Sequence, residues 1–391
     1  MTTGPGPARI GVFTATRAEY GLLRPVLARM TASERLEPLL IVSGTHLSPR
    51  HGRTVSEIEA DGQAIAARIP VPLAEDDAVS VAADMAAVLL GAARAYGDLG
   101  LDAVMMLGDR TEVLAAAAAA VPFGLPILHL EGGHRTTGAV DDSIRHAVTK
   151  LASLHFTAAE PYRHRILQLG EAPESVFVVG STGVDTLLAQ GRRSLAEVSA
   201  LLEVDLAPGY LLVTFHPETL ALTPPGDQVA AFLEGLGCVT DRKLVITLPN
   251  ADVGSGVIRS ALSAFAQARQ GQVHLFESLG ARRYAAALTA SDAVVGNSSS
   301  GVIEAPAAGV PSVNVGGRQD GRIRPPSIVD CENSAADIAD ALSRALDPAF
   351  AAAARTQPPP FGDGHAAERI VAILEQTRFS GLSRKTFIDR P

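Results

Sequence analysis

The chain has 391 residues, of which 47% are hydrophobic and 19% charged, and its net charge is −9 at pH 7. This length allows two or three ordinary domains, and the composition is that of a globular protein. The acidic balance disfavours nucleic acids and membrane surfaces as partners, because contacts to many phosphates require a basic surface. It allows a small anionic ligand held by a few local side chains.

The cysteines and the apolar stretches indicate where the protein works. Cys238 and Cys331 lie far apart and outside any Cys-x-x-Cys pattern, which predicts free thiols in a reducing cytoplasm. The first seven residues lack the features of a secretory signal. The most apolar stretches, such as Val81–Ala93, are short or interrupted by charge, so we expect no membrane-spanning helix. These features predict a cytoplasmic protein.

Short runs of β-branched residues alternate with alanine-rich stretches of helical period, a pattern typical of parallel βαβ units. In the first half the sequence predicts two consecutive strand–helix–strand units, followed by one more strand. In chain order these elements are Arg9–Phe13, Leu22–Met30, Leu39–Ser43, Leu101–Leu107, Thr111–Val121, Leu125–Leu130 and Val176–Gly180.

A second alternating set begins after residue 208. Its predicted strands are Tyr210–Phe215, Lys243–Leu248, Val273–Phe276, Ala293–Gly296 and Pro311–Val315. We therefore expect an α/β protein with two Rossmann-like, doubly wound domains, residues 1–190 and 191–391. A final helix at 365–378 is expected to pack back on the first domain. Such domains face a cleft at the carboxyl ends of their strands, where ligands usually bind.

Two motifs follow strands of the first half. Thr14–Gly21 joins a strand to a helix, and the N–H groups of this turn together with the forked cation of Arg17 suit a phosphate. Arg17 could instead only cap the loop. Asp109, in the turn Leu107–Glu112, would stand at the mouth of the cleft or serve only as the N-cap of the next helix.

The third motif is the densest polar cluster of the first half. It places Glu131 and His134 around a glycine turn, followed by Asp141 and Asp142 at a predicted helix start. The two aspartates could simply stabilise that helix dipole. Together with Asp109 they predict several carboxylates in one site, which is how a site obtains an acid and a base at one pH. No His-Glu-x-x-His spacing is present, so we favour no metal site.

Three motifs follow strands of the second half. His216 is placed to meet a pyrophosphate, although a lone histidine is more often structural. Residues 296–306 offer N–H and O–H donors to phosphate oxygens, and Glu304, one turn inside the helix, could accept both hydroxyls of a ribose. A well-capped helix start without a ligand is the alternative. Arg318 and Arg322 flank a glycine turn and could close over the ligand or form a solvated basic loop.

Taken together, the six motifs and their spacing resemble the UDP-N-acetylglucosamine 2-epimerase family from about Arg9 to Cys331. That family has two Rossmann-like domains of the glycosyltransferase-B type. Five stretches look like its hydrolysing branch, whereas the non-hydrolysing branch typically has a Gly-Asp-Thr-Thr turn, a Glu-Glu pair and a Ser-Gly-Gly loop. The five are residues 16–21 (Thr-Arg-Ala-Glu-Tyr-Gly), 108–112 (Gly-Asp-Arg-Thr-Glu), 141–146 (Asp-Asp-Ser-Ile-Arg-His), 296–301 (Gly-Asn-Ser-Ser-Ser-Gly) and 318–322 (Arg-Gln-Asp-Gly-Arg).

The resemblance implies an elimination mechanism on a UDP-sugar without a cofactor or a metal, in a homodimer. A base removes the C2 proton while UDP leaves C1, and water then adds to the 2-acetamidoglucal, giving free N-acetylmannosamine. The resemblance assigns the catalytic carboxylates to Asp109, Glu131 and Asp142 or Asp141, and His134 is a further acid or base. The implied substrate and UDP contacts are Arg17, Arg145, His216, Asn250, Phe276, Ser298, Ser299, Ser300, Gly301, Glu304, Arg318 and Arg322.

One departure from the family pattern concerns the third motif. Hydrolysing members usually read His-Gly-Gly-Glu, whereas here the order is swapped, with Glu131 first and His134 last. A UDP-diacetamido-trideoxyhexose, or another specialised nucleotide sugar, therefore stays open as the substrate. Three other interpretations also stay open: a non-hydrolysing epimerase that returns UDP-N-acetylmannosamine, a glycosyltransferase of the same architecture, and a non-catalytic nucleotide-sugar sensor.

Overall fold

The structure, a computed structural model, describes residues 6–75, 77–137, 139–250 and 252–389. The chain forms two compact units. The first contains the residues up to His134, Asp141–Asp185 and the residues from Gly362 onward; the second contains Arg135–Val140 and Thr186–Phe361. Both are built from parallel strands and intervening helices, so the predicted α/β fold class is confirmed.

In the described residues, the first unit holds a seven-stranded parallel sheet in the order β3-β2-β1-β4-β5-β6-β7. Helices cover both of its faces, and buried apolar clusters lie on each side. This strand order is that of a Rossmann fold with one added strand. The strands are β1 Ala8–Thr14, β2 Leu36–Ser43, β3 Ile65–Ile69, β4 Ala103–Leu107, β5 Ile127–Leu130, β6 Leu154–Thr157 and β7 Val176–Val178. The helices are α1 Arg17–Thr31, α2 Val55–Ala60, α3 Ala78–Leu99, α4 Thr111–Ala120, α5 Asp141–Leu151 and α6 Glu160–Gln168, whereas α7 Thr182–Gln190 begins in this unit and continues into the second.

The second unit repeats this plan with a six-stranded parallel sheet among its described residues, in the order β10-β9-β8-β11-β12-β13. Buried apolar clusters again lie on both sides of the sheet. The strands are β8 Tyr210–Thr214, β9 Lys243–Thr247, β10 Val273–Phe276, β11 Ala293–Gly296, β12 Ser312–Val315 and β13 Ile328–Cys331. The helices are α8 Leu195–Leu202, α9 Pro225–Leu236, α10 Ser255–Ala268, α11 Gly280–Ala290, α12 Glu304–Ala307, α13 Ala335–Ala345 and α14 Pro348–Arg355.

The last helix, α15 (Ala366–Gln376), belongs to the first unit and packs against α1. The main-chain N–H groups of Ala366 and Ala367 donate to the carboxylate of Asp185. Farther along, Lys385 donates to the buried carboxylate of Glu171. Helix packing and these charge-assisted bonds therefore hold the C-terminal segment on the first unit.

Helix α3 corrects one prediction from the sequence. It has 22 residues, and its length and mean hydropathy of 1.5 are sufficient to cross a membrane, with 22% of its most apolar window buried. By length and composition, the apolar segment is therefore longer than the sequence patterns indicated. Much of its apolar character comes from alanine, and the buried residues Val88, Ala92 and Tyr96 pack it into the first unit beside α4.

Candidate active site

The predicted site residues follow the carboxyl ends of the strands in both units. In the first unit, Arg17 follows β1, Asp109 follows β4, and Glu131 follows β5. Ligands of doubly wound sheets bind where the strand order reverses, here between β1 and β4. In the second unit the same point lies between β8 and β11, which lead to His216 and Ser298.

A buried arginine gathers the acidic residues of the first unit. The side chain of Arg145, on α5, is only 1% exposed. Its guanidinium group donates hydrogen bonds to Asp109, to Asp142 at 3.4 Å and to the carbonyl oxygen of His134 at 3.2 Å. A buried guanidinium requires carboxylate and carbonyl partners, because otherwise its desolvation would be strongly unfavourable. Arg145 thus brings two of the predicted catalytic carboxylates into one group.

The alternative in which Asp109 serves as an N-cap is wrong. Arg110 is the N-cap residue of α4, with no side-chain cap bond, and the Asp109 carboxylate binds Arg145 instead. Asp141 and Asp142 are the first two residues of α5, as the sequence predicted. Asp142 also lies 3.6 Å from the ring nitrogen Nε2 of His146.

Glu131 and His134 form a second group beside the first. The Nε2 atom of His134 lies 2.9 Å from a carboxylate oxygen of Glu131, and Ser181 donates to the other oxygen at 2.7 Å. The His134 ring is 1% exposed and stacks on Tyr162, with 4.0 Å between the ring centroids. One oxygen of the Glu131 carboxylate is therefore held by a hydrogen bond from Ser181, and the imidazole of His134 lies close to the other.

The backbone around this pair is strained. Glu131 has a φ of +62°, a left-handed conformation that is unfavourable for a residue with a side chain. Gly133, at φ +81°, lies so close to the main chain that a Cβ atom would be 2.4 Å from the carbonyl oxygen of Tyr162. The glycine lets the chain approach α6, and the turn holds both Glu131 and His134 near the end of β5.

A buried histidine that the sequence analysis assigned no role supports the Asp109 turn. Nε2 of His129 lies 2.8 Å from the carbonyl oxygen of Gly108, and Nδ1 lies 3.2 Å from the hydroxyl of Thr149. Burial lowers the pKa of His129 to about 3, so the ring is neutral at physiological pH. Since the carbonyl can only accept, Nε2 carries the proton, and Nδ1 accepts from Thr149.

The first strand-to-helix turn differs in part from the expectation. The carboxylate of Glu19 accepts the N–H groups of Ala15 at 2.7 Å and Thr16 at 3.3 Å, so these donors are used within the protein. Burial, followed by repulsion from Glu112, raises the pKa of Glu19 to about 8. Arg17 begins α1 and lies 3.3 Å from Glu57. Two features were expected to bind a phosphate, the N–H groups of this turn and the cation of Arg17. The cation of Arg17 is therefore the stronger candidate.

In the second unit, the loops after β8, β11 and β12 are joined by hydrogen bonds. The buried side chain of Asn297 bonds to the main chain of His216, and the guanidinium of Arg318 donates to the carbonyl oxygen of Asn297 at 3.3 Å. The Nδ1 atom of His216 lies 4.0 Å from a carboxylate oxygen of Asp252, and Asp252 is in the loop after β9. Three loops that carry predicted UDP contacts are thus held together.

The serine loop has a different local structure from the one expected. Ser299–Gly301 forms a single 3₁₀ turn, with the Ser298 side chain accepting the N–H of Ser300, and α12 begins at Glu304. Glu304 is therefore the first residue of a short helix and not one turn inside a longer one. The hydroxyl of Tyr284 donates to that of Ser300 at 2.8 Å.

The other predicted contacts of the second unit lie along the same edge of the sheet. Asn250 follows β9, and Phe276 is the last residue of β10, with the guanidinium carbon of Arg283 5.8 Å from the centre of its ring. Arg322 follows β12, and its main-chain N–H donates to Gln319 at 3.3 Å.

The sequence analysis missed several residues that hold the site in place: Ser181, Tyr162, Asn297, Gln319 and Tyr284. Ser181, Asn297 and Gln319 also lie just after strands, so position alone could have marked them as candidates. Tyr162 and Tyr284 lie within helices, and no signal in the sequence identifies them. Among the described residues, no group of three or more His, Cys, Asp or Glu side chains is arranged to hold a metal ion.

A model of the UDP-N-acetylglucosamine 2-epimerase family matches residues 28–375. The chain belongs to this family. It is 36% identical to the GDP/UDP-N,N'-diacetylbacillosamine 2-epimerase (hydrolyzing) of Campylobacter jejuni, over 83% of this chain and 84% of the relative. It is 33% identical to the UDP-N,N'-diacetylbacillosamine 2-epimerase (hydrolyzing) of Legionella pneumophila, over 93% of this chain and 94% of the relative.

Solved structures of the family share the fold. The UDP-N-acetylglucosamine 2-epimerase of Neisseria meningitidis, bound to its UDP-sugar, has a TM-score of 0.77 and 19% identity, covering 95% of this chain and all of that one. The enzyme of Methanocaldococcus jannaschii has a TM-score of 0.76 and 18% identity, over 94% of this chain and all of that one. The expected fold of two Rossmann-like units, of the glycosyltransferase-B type, is thereby confirmed.

Strain at Glu131 can be measured by comparing two substitutions that both remove its side-chain contacts. We expect Glu131→Gly to be more stable than Glu131→Ala by about 1 kcal/mol in the free energy of unfolding, because glycine adopts positive φ without a steric penalty. At Glu234, which is exposed within α9, the order should reverse by a similar amount, because glycine is unfavourable in a helix. Chemical denaturation gives all four values. Equal stability of the two Glu131 variants would contradict the assigned strain.

Proposed function

We propose that the protein is a hydrolysing 2-epimerase that acts on a UDP-linked acetamido sugar and releases UDP. The observation that carries the proposal is the grouping of Asp109 and Asp142 around the buried Arg145, next to the Glu131–His134 pair. Removal of a proton from carbon requires a fixed base, and a matched acid must deliver the proton in the second step. The hydrolysing relatives support release of UDP over its return to C1.

The reaction conserves atoms in two steps. First, a carboxylate takes the C2 proton, the C–H electron pair forms the C1=C2 double bond, and the C1–O bond breaks with its electrons leaving on UDP. Second, water adds its oxygen to C1 and gives up one proton to a carboxylate, while a protonated group delivers a proton to C2 from the opposite face. The sum is UDP-sugar plus water giving UDP and the free 2-epimeric sugar.

Within this reaction, we assign the proton transfers to Asp109, Glu131 and Asp142, with His134 as the proton-bearing partner of Glu131. Arg145 keeps the two aspartates close together, because its charge offsets their mutual repulsion.

The charge that develops on UDP would be met by groups of the second unit and by Arg17. We assign the diphosphate to Arg17, His216, Arg318, Arg322 and the serine loop, Ser298, Ser299, Ser300 and Gly301. We assign the ribose to Glu304 and the uracil side of the nucleotide to Asn250 and Phe276. Donors and cations fixed where negative charge accumulates lower the barrier to departure of a leaving group.

For the substrate, we favour a UDP-2,4-diacetamido-trideoxyhexose such as UDP-N,N'-diacetylbacillosamine over UDP-N-acetylglucosamine. The two relatives at 36% and 33% identity are named as epimerases of this sugar, and the similarity covers most of their length. The fixed Glu131–His134 pair is also a departure from the family's usual order. A sugar with a second acetamido group differs in its polar substituents, which is a difference that such a pair could recognise.

The decisive experiment offers both sugars to the wild type and to Asp109→Asn and measures UDP and free sugar by chromatography. We expect stoichiometric UDP and free 2-epimer from the wild type, with faster turnover of the diacetamido sugar. Asp109→Asn should lower kcat by about 100-fold or more, as for loss of a general acid or base. Asp340→Asn, on the exposed side of α13, is the matched control and should keep wild-type turnover.

Three outcomes would contradict this proposal. UDP-linked epimer without free UDP would identify a non-hydrolysing epimerase. Transfer of the sugar to an added acceptor would identify a glycosyltransferase. Tight UDP-sugar binding with no turnover of either sugar would identify a sensor.

We also infer that the protein is a cytoplasmic homodimer that self-associates through α3. This helix exposes Val79 (79%), Leu90 (58%) and Leu89 (38%), and the exposed Phe123 lies against its C-terminal end. Contiguous exposed apolar side chains mark an interaction surface. The free thiols Cys238 and Cys331 support a reducing compartment.

Light scattering after size exclusion tests this surface. We expect a dimeric mass for the wild type and a monomeric mass for Leu90→Asp, because a buried unpaired carboxylate opposes association. Val257→Asp, at a residue of the second unit that is 52% exposed, should remain dimeric. A wild-type monomer that floats with lipid vesicles would show instead that α3 meets a membrane.

A further inference from the structure

The side chain of Asn297, directly after β11, makes the hydrogen bonds that a neighbouring strand would otherwise make. The residue is fully buried. Its Oδ1 atom accepts the main-chain N–H of His216 at 2.7 Å, and its Nδ2 atom donates to the main-chain carbonyl of His216 at 2.8 Å. Both backbone groups of His216 are thus satisfied by one amide, as they would be by an adjacent strand.

The geometry of the preceding residue explains why a side chain takes this place. β8 and β11 run in parallel register up to Thr214 and Gly296. Gly296 has a φ of +133°, and a Cβ atom there would lie 1.9 Å from the carbonyl oxygen of Thr214. The main-chain N–H of Asn297 still donates to the carbonyl oxygen of Thr214 at 3.2 Å, and beyond this bond the side-chain amide of Asn297 continues the pairing with the loop after β8.

The main chain of Asn297 extends the connection to a third loop. Its carbonyl oxygen accepts from Nε2 of Gln319 at 2.8 Å and from the guanidinium of Arg318 at 3.3 Å. Gln319 is also fully buried. One residue consequently links the loop of His216, the serine loop that begins at Ser298, and the loop of Arg318.

We propose that Asn297 is a positioning residue that holds these three loops in the arrangement that binds the diphosphate of UDP. The inference rests on the proposed function, since it presumes that His216, Ser298 and Arg318 contact that diphosphate. Loops fixed before the ligand arrives need no ordering on binding, and affinity rises accordingly. Loss of the amide should therefore weaken UDP binding beyond any effect on folding.

Aspartate at this position provides a titratable probe of the amide. In Asn297→Asp, one oxygen can still accept the N–H of His216. The other oxygen faces the His216 carbonyl, which repels it when the carboxylate is ionised. Protonation restores a donor toward that carbonyl, so the defect should diminish at low pH.

Calorimetric titration with UDP tests the proposal on wild type, Asn297→Ala, Asn297→Asp and a control, Asn314→Ala. Asn314 is also a buried asparagine of the same unit, and it donates to Asp330 at 2.7 Å at the far side of β12. We expect Asn297→Ala to bind UDP about tenfold or more weakly, as the loss of paired buried hydrogen bonds implies, and to raise KM more than it lowers kcat. Asn314→Ala should bind within about threefold of the wild type, even where its melting temperature falls as much.

The aspartate variant gives the sharper result. The ratio of its Kd to that of the wild type should be large at pH 8 and approach one near pH 5.5. If Asn297→Ala does not fold, Gln319→Ala replaces it, with an expected loss of about three- to tenfold from one buried bond. Wild-type affinity in the Asn297 variants at pH 8, or an equal loss in Asn314→Ala, would overturn the positioning role alone. Failure of the wild type to bind UDP would overturn the proposed function and the inference with it.

Discussion

The acidic part of the site depends on one buried positive charge. Arg145 is 1% exposed, yet it lies in contact with two carboxylates and a carbonyl oxygen that come from three different stretches of the chain. Burying a lone guanidinium would be unfavourable by several kcal/mol, and so would placing Asp109 beside Asp142 without a cation. Each charge is stable only because the others are present, which fixes the carboxylates without help from a ligand.

Each unit connects its strand-end loops through a buried polar side chain, but the two side chains differ in charge. In the first, a charge and two carboxylates connect the turn after β4 to the start of α5. In the second, the uncharged amide of Asn297 connects the loops after β8 and β11. The amide of Asn297 adds no negative charge beside His216 and Arg318, whereas a carboxylate in its place would.

The sequence predicted the fold because alternating apolar strands and alanine-rich helices have few other solutions. It missed β3, β6 and β13, which are short and carry polar residues such as Arg68, His155 and Asp330. It also underestimated α3, where Asp84 and Arg94 interrupt the apolar run although the helix continues through them. Local sequence patterns therefore predicted where the elements lie more accurately than how long they are.

For the candidate site, the sequence identified the strand-end residues but not their partners. That Asp109 binds Arg145, 36 positions away, follows only from the folded arrangement of β4 and α5. The same holds for Ser181 and Glu131, which are 50 positions apart. The left-handed backbone of Glu131 is invisible in the sequence as well, because a residue other than glycine gives no warning of positive φ.

In the proposed reaction, these grouped carboxylates remove a proton from C2 of the sugar. Proton NMR of the reaction in D₂O tests it most directly, with UDP-N,N'-diacetylbacillosamine as the substrate. Each molecule of free epimer formed should carry deuterium at C2 and appear together with one molecule of UDP. Epimer that retains its original proton at C2 would contradict the account, because the configuration would then have changed without proton removal by the site.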